Sequence, residues 1–391
     1  MKVRRVAVVV GTRPEAIKLA PVVLALRRAP RRFQVRLIST GQHRELLRQH
    51  LRPFGLTPDV DLDVMQPRQS LSHITAASLT GLEAALADDP PELLLAEGDT
   101  TTVFAAGLAA FYQNVAVGHV EAGLRSRDKR HPFPEEINRR LMGALADLHF
   151  APTPAARDNL LAEGVPADRI FVTGNTVLDA LRTVADQPEP RRLPIPRSEL
   201  RGRRLLLVTA HRRESWGRPL RDICLALSDL LRRFPDTVVV YAVHPNPVVR
   251  RTAADVLGKA SRAFLIEPPD YDVFVHLMKR AYLALTDSGG VQEEAPSLHL
   301  PVLVLRETSE RGEGIAAGAA RLVGRRRADI VAAASHLLRH PGAREAMAHI
   351  PNPYGDGRAA GRIRQALEFH FGFRRRRPAD FVPPAPRPGG G

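Results

Sequence analysis

Residues 283–295 read LALTDSGGVQEEA, an apolar run that ends at Ser288, Gly289 and Gly290 and is followed by Glu293 and Glu294. The run has the length and composition of a buried strand, and the small residues after it favour a turn into a helix. A strand that enters a helix in this way exposes backbone N–H groups, which can bind an anion. The stretch therefore predicts one strand–turn–helix unit of an α/β fold, with an anion site at its turn.

The same alternation of short apolar runs and helical periodicities continues along the chain and is typical of doubly wound α/β domains. Strands are predicted at residues 5–10, 35–39, 92–96, 115–119 and 170–173, and again at 204–209, 237–243, 263–266, 282–286 and 301–305. The proline-rich stretch 185–202 is predicted to be a loop near the junction of two domains. Ligands of such sheets bind beyond the carboxyl ends of the strands, so the expected site is a cleft between two facing Rossmann-like domains.

The chain has 391 residues, a formal net charge of +15 and a sequence pI near 10.9. A positive charge this high is typical of nucleic-acid-binding proteins. Lysine occurs only at positions 2, 18, 129, 259 and 279, and the arginines are scattered through both halves. Their densest run, 374–377, lies in a Pro/Gly-rich tail that is predicted to be disordered. A nucleic acid is therefore not expected as a specific partner, because dispersed charge predicts only weak, salt-sensitive contacts.

Cys224 is the single cysteine, so an intrachain disulfide and a multi-cysteine metal site are excluded. It falls on the apolar face of a predicted helix and is interpreted as a small core residue. The longest apolar runs, such as residues 6–10, are too short to cross a bilayer, and no membrane association is expected. We expect a cytoplasmic protein.

The first strand–helix junction, residues 6–18, reads VAVVVGTRPEAIK. It lacks the GxGxxG pattern of dinucleotide sites, and the chain contains no Walker-type GKS or GKT. Arg13 and Lys18 flank a predicted helix N-terminus, where the helix dipole favours an anion. The alternative interpretation, two solvated surface charges, fits this stretch equally well.

Further junctions deliver polar side chains in the same way: Asp99, His119 with Glu121, Glu135 with Glu136, and His211 with Arg212 and Arg213. Singly, each has a structural explanation, since Asp99 could cap a helix, Glu135 could complement a helix dipole and His211 could be a loop residue. Together they are expected on the cleft side of their sheets. Carboxylates that face Arg13, Lys18 and His211 there would be costly without a ligand.

Nine motifs occur in the order seen in the bacterial non-hydrolysing UDP-N-acetylglucosamine 2-epimerases, which the chain resembles from about residue 2 to about residue 371: GTRPEAIKLAP, GQHRELL, GDTTT, GHVEAGLRS, PFPEEINRR, TGNTVLDAL, HRRES, TDSGGVQEEAPSL and NPYGDG. A single motif such as SGG is shared by many nucleotide-sugar enzymes. The ordered set is specific to this family.

The resemblance implies two Rossmann-like domains arranged as in GT-B glycosyltransferases, a homodimer, and no metal or redox cofactor. It implies interconversion of UDP-N-acetylglucosamine and UDP-N-acetylmannosamine, which supplies mannosamine units for surface polysaccharides. The expected regions are an N-terminal domain over residues 1–175 with a helix at about 360–372 packing back onto it, a UDP-binding domain over 176–359, and the tail over 373–391.

Carried over position by position, the resemblance implies catalytic roles for Asp99, Glu121, Glu135 and His211. It implies substrate contacts at Arg13, Lys18, Phe274, Ser288, Gly289, Gly290, Glu294 and Arg311. Gln42, Arg68, Arg212 and His244 resemble a second site, at which some relatives bind UDP-N-acetylglucosamine as an activator. Two positions depart from the family pattern: Pro269 removes a side-chain amide near the uracil, and Gly312 with Glu313 is expected to loosen the turn that carries Arg311.

The expected chemistry follows from the substrate, whose C2 hydrogen is not α to a carbonyl. Loss of UDP is therefore expected to come first and to give 2-acetamidoglucal, with Glu121 and Glu135 as proton carriers. Glu293 is expected to be a solvated charge in the first turn of its helix. A hydrolysing 2-epimerase that releases N-acetylmannosamine and a GT-B glycosyltransferase remain alternatives at this stage.

Overall fold

The computed structural model describes residues 2–41, 44–64 and 69–384. These residues form two compact units. Unit 1 comprises the described residues of Met1–Val184 together with Tyr354–Pro383, and unit 2 comprises Ala185–Pro353 together with Pro384. The chain passes into unit 2 and returns to unit 1, so residues 354–383 belong with the N-terminal half. The change of unit lies at Val184, later than the boundary expected at residue 175.

Unit 1 is built on a parallel sheet that has seven strands within the described residues, in the order β3-β2-β1-β4-β5-β6-β7. The strands are β1 (Arg4–Val10), β2 (Phe33–Ser39), β3 (Val60–Asp61), β4 (Leu93–Glu97), β5 (Ala116–Val120), β6 (Leu148–Ala151) and β7 (Ile170–Val172). Its helices are α1 (Arg13–Arg27), α2 (Arg44–Leu51), α3 (Leu71–Asp88), α4 (Thr101–Tyr112), α5 (Glu135–Leu145), α6 (Pro154–Ala162), α7 (Val177–Ala185) and, after the return, α16 (Ala359–His370).

Unit 2 is built on a second parallel sheet, of six strands, in the order β10-β9-β8-β11-β12-β13. The strands are β8 (Arg204–Thr209), β9 (Thr237–Ala242), β10 (Ala263–Ile266), β11 (Ala281–Thr286), β12 (Val302–Val304) and β13 (Ala320–Leu322). Its helices are α8 (Arg197–Leu200), α9 (Arg218–Arg233), α10 (Pro247–Leu257), α11 (Tyr271–Arg280), α12 (Gly289–Glu294), α13 (Gly312–Ala316), α14 (Arg327–Arg339) and α15 (Pro341–Ala348).

The central strands are continuous apolar runs because both faces of each sheet are covered by helices. Residues 6–10 of β1 are at most 1% exposed. The same burial holds for the first four residues of β4, and Cys224 lies in the core of unit 2 as expected. The predicted α/β class with two parallel sheets is confirmed. Within the described residues, no helix is both long enough and apolar enough to span a bilayer.

A set of buried hydrogen bonds joins the returning chain to unit 1. The amide of Asn175 donates to the carbonyl of Tyr354 over 2.8 Å. Asp179 accepts from the amides of Ala359 and Ala360, each over 3.0 Å, and so binds the first turn of α16. Burial raises the pKa of the Asp179 carboxyl to about 6, although these two amides act in the opposite direction. This carboxyl therefore ties α16 to α7 within one unit.

The segment 373–384 packs against the edge strand β7, which differs from the disordered tail expected from its composition. The Phe381 amide donates to the Val172 carbonyl over 2.7 Å, and the Val172 amide donates to Asp380 Oδ1 over 3.0 Å. The Phe381 side chain is 5% exposed, and the Arg377 guanidinium lies 4.1 Å from the centre of the Phe171 ring. An edge strand presents unpaired backbone groups, and this segment satisfies some of them. Residues 385–391 of the expected tail lie outside the described part of the chain.

Replacing Phe381 by alanine should loosen this segment, because the buried ring is the main apolar contact that holds it. We expect hydrogen exchange of the Val172 and Phe381 amides to accelerate by at least about tenfold, since large-to-small changes at buried sites cost more than the corresponding free energy. Exchange can be followed by mass spectrometry of peptides that cover residues 170–174 and 376–384. The matched control is Val382→Ala, because Val382 is 79% exposed; equal protection in both variants would contradict the packing role.

Candidate active site

The turn after β1 is shaped by the buried carboxylate of Glu15. This carboxylate accepts the amide of Gly11 over 2.6 Å and the amide of Thr12 over 3.2 Å, and it accepts the hydroxyl of Thr100 over 2.7 Å. Burial raises the pKa of Glu15, and these hydrogen bonds oppose that shift. The arrangement is a capping box, which starts α1 at the exposed side chain of Arg13.

Lys18 lies one turn further along α1 and bridges two acids at the carboxyl edge of the unit 1 sheet. Its Nζ lies 3.0 Å from Glu97 Oε1 and also contacts Glu121 Oε2. The side-chain Nδ2 of Asn175 is 3.5 Å from the same oxygen of Glu121. Glu121 adopts a left-handed φ of 62°, which is unusual for a residue other than glycine and is found most often where the surroundings impose it. Glu97 was not singled out from the sequence.

Asp99 and Glu135 lie near each other at the same edge. Asp99 follows β4 and accepts the guanidinium of Arg139 over 2.6 Å, and the side chain of Asn138 donates to the Asp99 carbonyl over 2.9 Å. Both partners belong to α5, whose first residue is Glu135. The buried Oε2 of Glu135 accepts no hydrogen bond from a described residue. The structure therefore brings Asp99, Glu121 and Glu135 to one edge of the sheet.

Two polar residues of the predicted set are structural. Glu136 is completely buried and accepts the amides of Ser126 and Arg127 over 2.9 and 3.3 Å, so it shapes the loop before α5. His119 is 1% exposed, and its Nε2 lies 2.7 Å from the carbonyl of Gly98. Burial lowers the pKa of His119 to about 3, so this imidazole is neutral near pH 7.

In unit 2 the turn after β8 is held by Asp287, a buried residue that follows β11. One carboxylate oxygen of Asp287 accepts the amide of His211 over 2.8 Å and the amide of Arg212 over 2.9 Å. The carbonyl of Asp287 accepts Nε of Arg212 over 3.0 Å. The sequence shows Asp287 within TDSGG but does not indicate this role. Its hydrogen-bond partners, His211 and Arg212, follow a different strand, β8.

His211 is half-buried and lies beside another histidine ring and two charged side chains. Its Nδ1 lies 3.6 Å from Asp287 Oδ1, and its ring stacks on that of His244 at a centroid distance of 5.4 Å. Burial is the main cause that lowers the pKa of His211. Asp287 opposes this effect, whereas His244 and Arg212 add to it. The lowered pKa favours the neutral form of His211.

The Ser288–Gly289–Gly290 turn lies against the guanidinium of Arg311. A methyl group built on Gly289 would lie 3.5 Å from a terminal nitrogen of Arg311. Nε of Arg311 donates to Glu293 over 2.6 Å, and the Glu293 side chain is 5% exposed. The expectation that Glu293 is a solvated charge is therefore wrong, since burial in this position requires a cationic partner. The same pair fixes the Arg311 side chain, although Gly312 was expected to loosen that turn.

Two further residues that were expected to contact the substrate lie in the same part of unit 2. Glu294 is 8% exposed, and its Oε2 accepts the hydroxyl of Tyr271 over 2.7 Å. Phe274 is half-buried one turn later on α11, the helix that begins at Tyr271. Tyr271 was not singled out from the sequence, although YDVF places it one helical turn before Phe274.

Two of the four residues of the expected activator site lie in the described part of the chain. Arg212 and His244 both lie beside His211, and Arg212 also pairs with Glu310 over 3.2 Å. Gln42 and Arg68 lie outside the described residues. In the described part of the chain, no group of three or more His, Cys, Asp or Glu side chains is arranged to hold a metal ion.

The pairing of Asp287 with the His211 turn predicts a change in histidine titration. Asp287→Asn should lower the pKa of His211 further, because the negative charge that stabilises the imidazolium is removed while burial remains. The His211 resonance can be assigned by its loss in His211→Asn and titrated by NMR. Asp222→Asn, at a partly exposed residue of α9, is the control. An unchanged or raised pKa in Asp287→Asn would contradict the pairing.

Comparison with known proteins covers nearly the whole chain. The sequence model of the family described as UDP-N-acetylglucosamine 2-epimerase matches residues 24–368. The UDP-N-acetylglucosamine 2-epimerase of Bacillus subtilis (strain 168) is 48% identical over 382 residues, which cover 98% of this chain and 100% of the relative. The protein of the same name from Escherichia coli (strain K12) is 50% identical over 373 residues, which cover 93% of this chain and 98% of the relative.

Solved structures agree with these sequence matches. A UDP-N-acetylglucosamine 2-epimerase structure from Listeria monocytogenes has a TM-score of 0.91 and 46% identity, and covers 97% of this chain and 100% of its own. The Neisseria meningitidis UDP-GlcNAc 2-epimerase bound to UDP-GlcNAc has a TM-score of 0.84 and 44% identity, and covers 93% of this chain and 99% of its own. With the family motifs at the edges of both sheets and this similarity over almost its full length, the chain belongs to the UDP-N-acetylglucosamine 2-epimerase family.

Proposed function

We propose that this protein interconverts UDP-N-acetylglucosamine and UDP-N-acetylmannosamine by inverting C2 of the sugar, without hydrolysing the product. The observation that carries the proposal is the group of three acids at one edge of the unit 1 sheet: Asp99, Glu121 and Glu135. Inversion of a C–H centre requires a base on one face and an acid on the other, and this edge supplies carboxyl groups for both. The Neisseria meningitidis relative in complex with UDP-GlcNAc supports the choice of substrate.

The chemistry begins at the anomeric carbon, because the C2 hydrogen is not α to a carbonyl. Cleavage of the C1–O bond releases UDP with the bonding electron pair and develops positive charge at C1. The C2 proton then becomes acidic enough for a carboxylate to remove, which gives 2-acetamidoglucal. Delivery of a proton to the opposite face of C2 and return of UDP to C1 complete the epimerisation. Atoms and charge balance without an external oxidant or reductant.

Unit 2 has the groups that hold UDP in this proposal. The Ser288–Gly290 backbone and the Arg311 guanidinium bind the diphosphate, and His211 donates a hydrogen bond to it. A bound anion favours the imidazolium form of His211, which burial otherwise disfavours. Glu294 accepts hydrogen bonds from the ribose hydroxyls, with Tyr271 orienting its carboxylate, and Phe274 packs against the uracil.

Unit 1 has the groups that move protons. Glu121 and Glu135 are the proton carriers, and Asp99 is fixed by Arg139 in a position to steady the developing positive charge. Their surroundings differ: Glu121 contacts the Lys18 ammonium, whereas Glu135 keeps a buried oxygen that no described residue satisfies. Different environments are what separate an acid from a base when both are carboxyl groups. Arg13, exposed at the start of α1, contributes positive charge for the substrate.

An NMR time course in deuterated water, started from UDP-N-acetylglucosamine, tests the function directly. The proposal requires UDP-N-acetylmannosamine that carries deuterium at C2. Free N-acetylmannosamine would instead identify a hydrolysing enzyme. If the substrate stays unchanged until an acceptor sugar is added, the protein is a transferase.

Glu135→Gln should abolish deuterium exchange at C2, because the amide cannot carry the proton. Affinity for UDP, measured by calorimetry, should stay within about threefold of the original, since only proton transfer is removed. Glu345→Gln, at an exposed residue of α15, is the matched control and should keep full exchange. A parallel loss of UDP binding and exchange in Glu135→Gln would contradict the assigned role.

Homodimerisation is part of the same proposal and is supported by exposed apolar side chains on three helices of unit 1 that pack in series, α3, α4 and α5: Leu71, Phe111, Tyr112, Ile137 and Leu141. Phe111 and Tyr112 are 59% and 62% exposed. Large apolar residues concentrated on one group of helices are typical of protein–protein interfaces. A cytoplasmic location is also proposed, which the single cysteine supports.

Sedimentation velocity tests the dimer. The unaltered protein should sediment at twice the 43.0 kDa chain mass, and Phe111→Asp combined with Tyr112→Asp should shift it to the monomer by placing charges in an apolar interface. Val248→Asp, at an exposed position of α10 in unit 2, is the control and should remain dimeric. A monomeric unaltered protein, or a dimeric double variant, would contradict this interface.

A further inference from the structure

Glu97 is a buried acid for which the mechanism above has no use. It is the last residue of β4 and is 2% exposed. The Lys18 ammonium lies 3.0 Å from its Oε1 and also contacts Oε2 of Glu121. One ammonium therefore bridges two carboxyl groups. Two carboxyl groups held on the same ammonium can share a hydrogen bond with each other only when one of them carries a proton.

We propose that Glu97 is a positioning residue whose carboxyl shares one proton with Glu121, and that this shared proton, together with the Lys18 ammonium, holds the Glu121 carboxyl in place for the reaction. The inference rests on the proposed function, in which Glu121 carries a proton to or from C2. Glu97 acts through Glu121 and touches no reacting atom.

Charge balance favours one proton on the pair. Two ionised carboxylates beside a single ammonium would leave a net negative charge, and the side chains of Lys18, Glu97 and Glu121 are 14%, 2% and 8% exposed. One shared proton makes the cluster neutral, and neutrality is strongly favoured in so little water. Burial, more than any other cause, raises the pKa of Glu97 well above its usual range. Lys18 opposes the shift, and Glu121 adds to it.

The other titratable groups on the elements that pack against β4 have partners of their own. Glu15 of α1 is bound by Gly11, Thr12 and Thr100, as described above. His119 of β5 is neutral and bound to Gly98, and Asp99 pairs with Arg139 of α5. The arginines of β1 pair with Asp89 and Glu92 at the opposite end of the sheet. The charges that act on Glu97 are therefore chiefly those of Lys18 and Glu121.

Glu97→Gln and Glu97→Ala separate a shared proton from a simple ion pair. The glutamine amide is neutral and can still donate to Glu121, so it imitates the protonated acid. We expect Glu97→Gln to retain kcat near pH 7 within about threefold, and Glu97→Ala to lose at least about tenfold in kcat with little change in KM, because only the second variant leaves Glu121 without a donor. Glu92→Gln, at the residue just before the same strand, should match the unaltered protein in both constants.

The pH profile gives the sharper comparison. In the unaltered protein the shared proton is present at low pH and is lost as the pH rises through the raised pKa of the pair. The resulting second carboxylate repels Glu121, so kcat should fall on the alkaline side. Glu97→Gln cannot lose that proton, and its kcat should not fall over the same interval. Superimposable profiles, or equal losses in Glu97→Gln and Glu97→Ala, would overturn the proposal.

An infrared difference spectrum provides a readout that needs no turnover. Subtracting the spectrum of Glu97→Gln from that of the unaltered protein near pH 7 should leave the carbonyl stretching band of one protonated carboxylic acid. If only ionised carboxylate bands differ, the shared proton does not exist and the inference fails. A protonated band in a protein without epimerase activity would instead refute the proposed function while the carboxyl pair stands.

Discussion

Buried carboxylates at the carboxyl ends of parallel strands can persist only when donors or cations surround them, and this requirement shapes both units. In unit 1 the Glu15 carboxylate accepts the backbone amides of the Gly11–Thr12 turn. In unit 2 the Asp287 carboxylate accepts those of the His211–Arg212 turn. Each acid accepts backbone amides from the strand–helix junction that it stabilises. A parallel sheet brings several such junctions to one edge, so the same hydrogen bonds that satisfy the acids also aim the functional side chains.

The two units have different charge characters at these edges. The edge of unit 1 concentrates carboxyl groups around one lysine, Lys18. The turns of unit 2 present arginine, histidine and small residues, and their cations are restrained by acids such as Glu293. Acids suit the movement of protons at a sugar carbon, and cations beside a backbone turn suit a diphosphate leaving group.

Much of this arrangement could be predicted from the sequence, because apolar runs and polar strand ends are local features. The alternation predicted the α/β class and the main strands, but it missed β3, β6 and β13, which have two, four and three residues. Runs this short carry almost no periodicity. Their existence depends on pairing with neighbouring strands, which a local pattern does not contain.

The misjudged residues share a dependence on distant partners. Glu293 follows a glycine turn and looks solvated, yet Arg311 reaches it from a later loop and allows it to be buried. Glu97 has the local pattern of an ordinary strand end, and its proposed role depends on Lys18 and Glu121, which are distant in sequence. Phe381 lies in a Pro/Gly/Arg-rich stretch whose composition predicts disorder, whereas the edge of β7 supplies the hydrogen bonds that order it. The composition of a segment predicts its order in isolation, but it does not predict the hydrogen bonds and packing that a neighbouring strand can add.

The most direct test of the central claim is positional isotope exchange in UDP-N-acetylglucosamine labelled with oxygen-18 at the bridge between C1 and the β-phosphorus. If the diphosphate leaves before the C2 proton moves, UDP is free for a time and its β-phosphoryl oxygens become equivalent by rotation. The account predicts that the label moves from the bridge to the non-bridging positions at least as fast as the epimer forms, as seen in the phosphorus-31 spectrum. Epimer formed with the label still wholly in the bridge would contradict it.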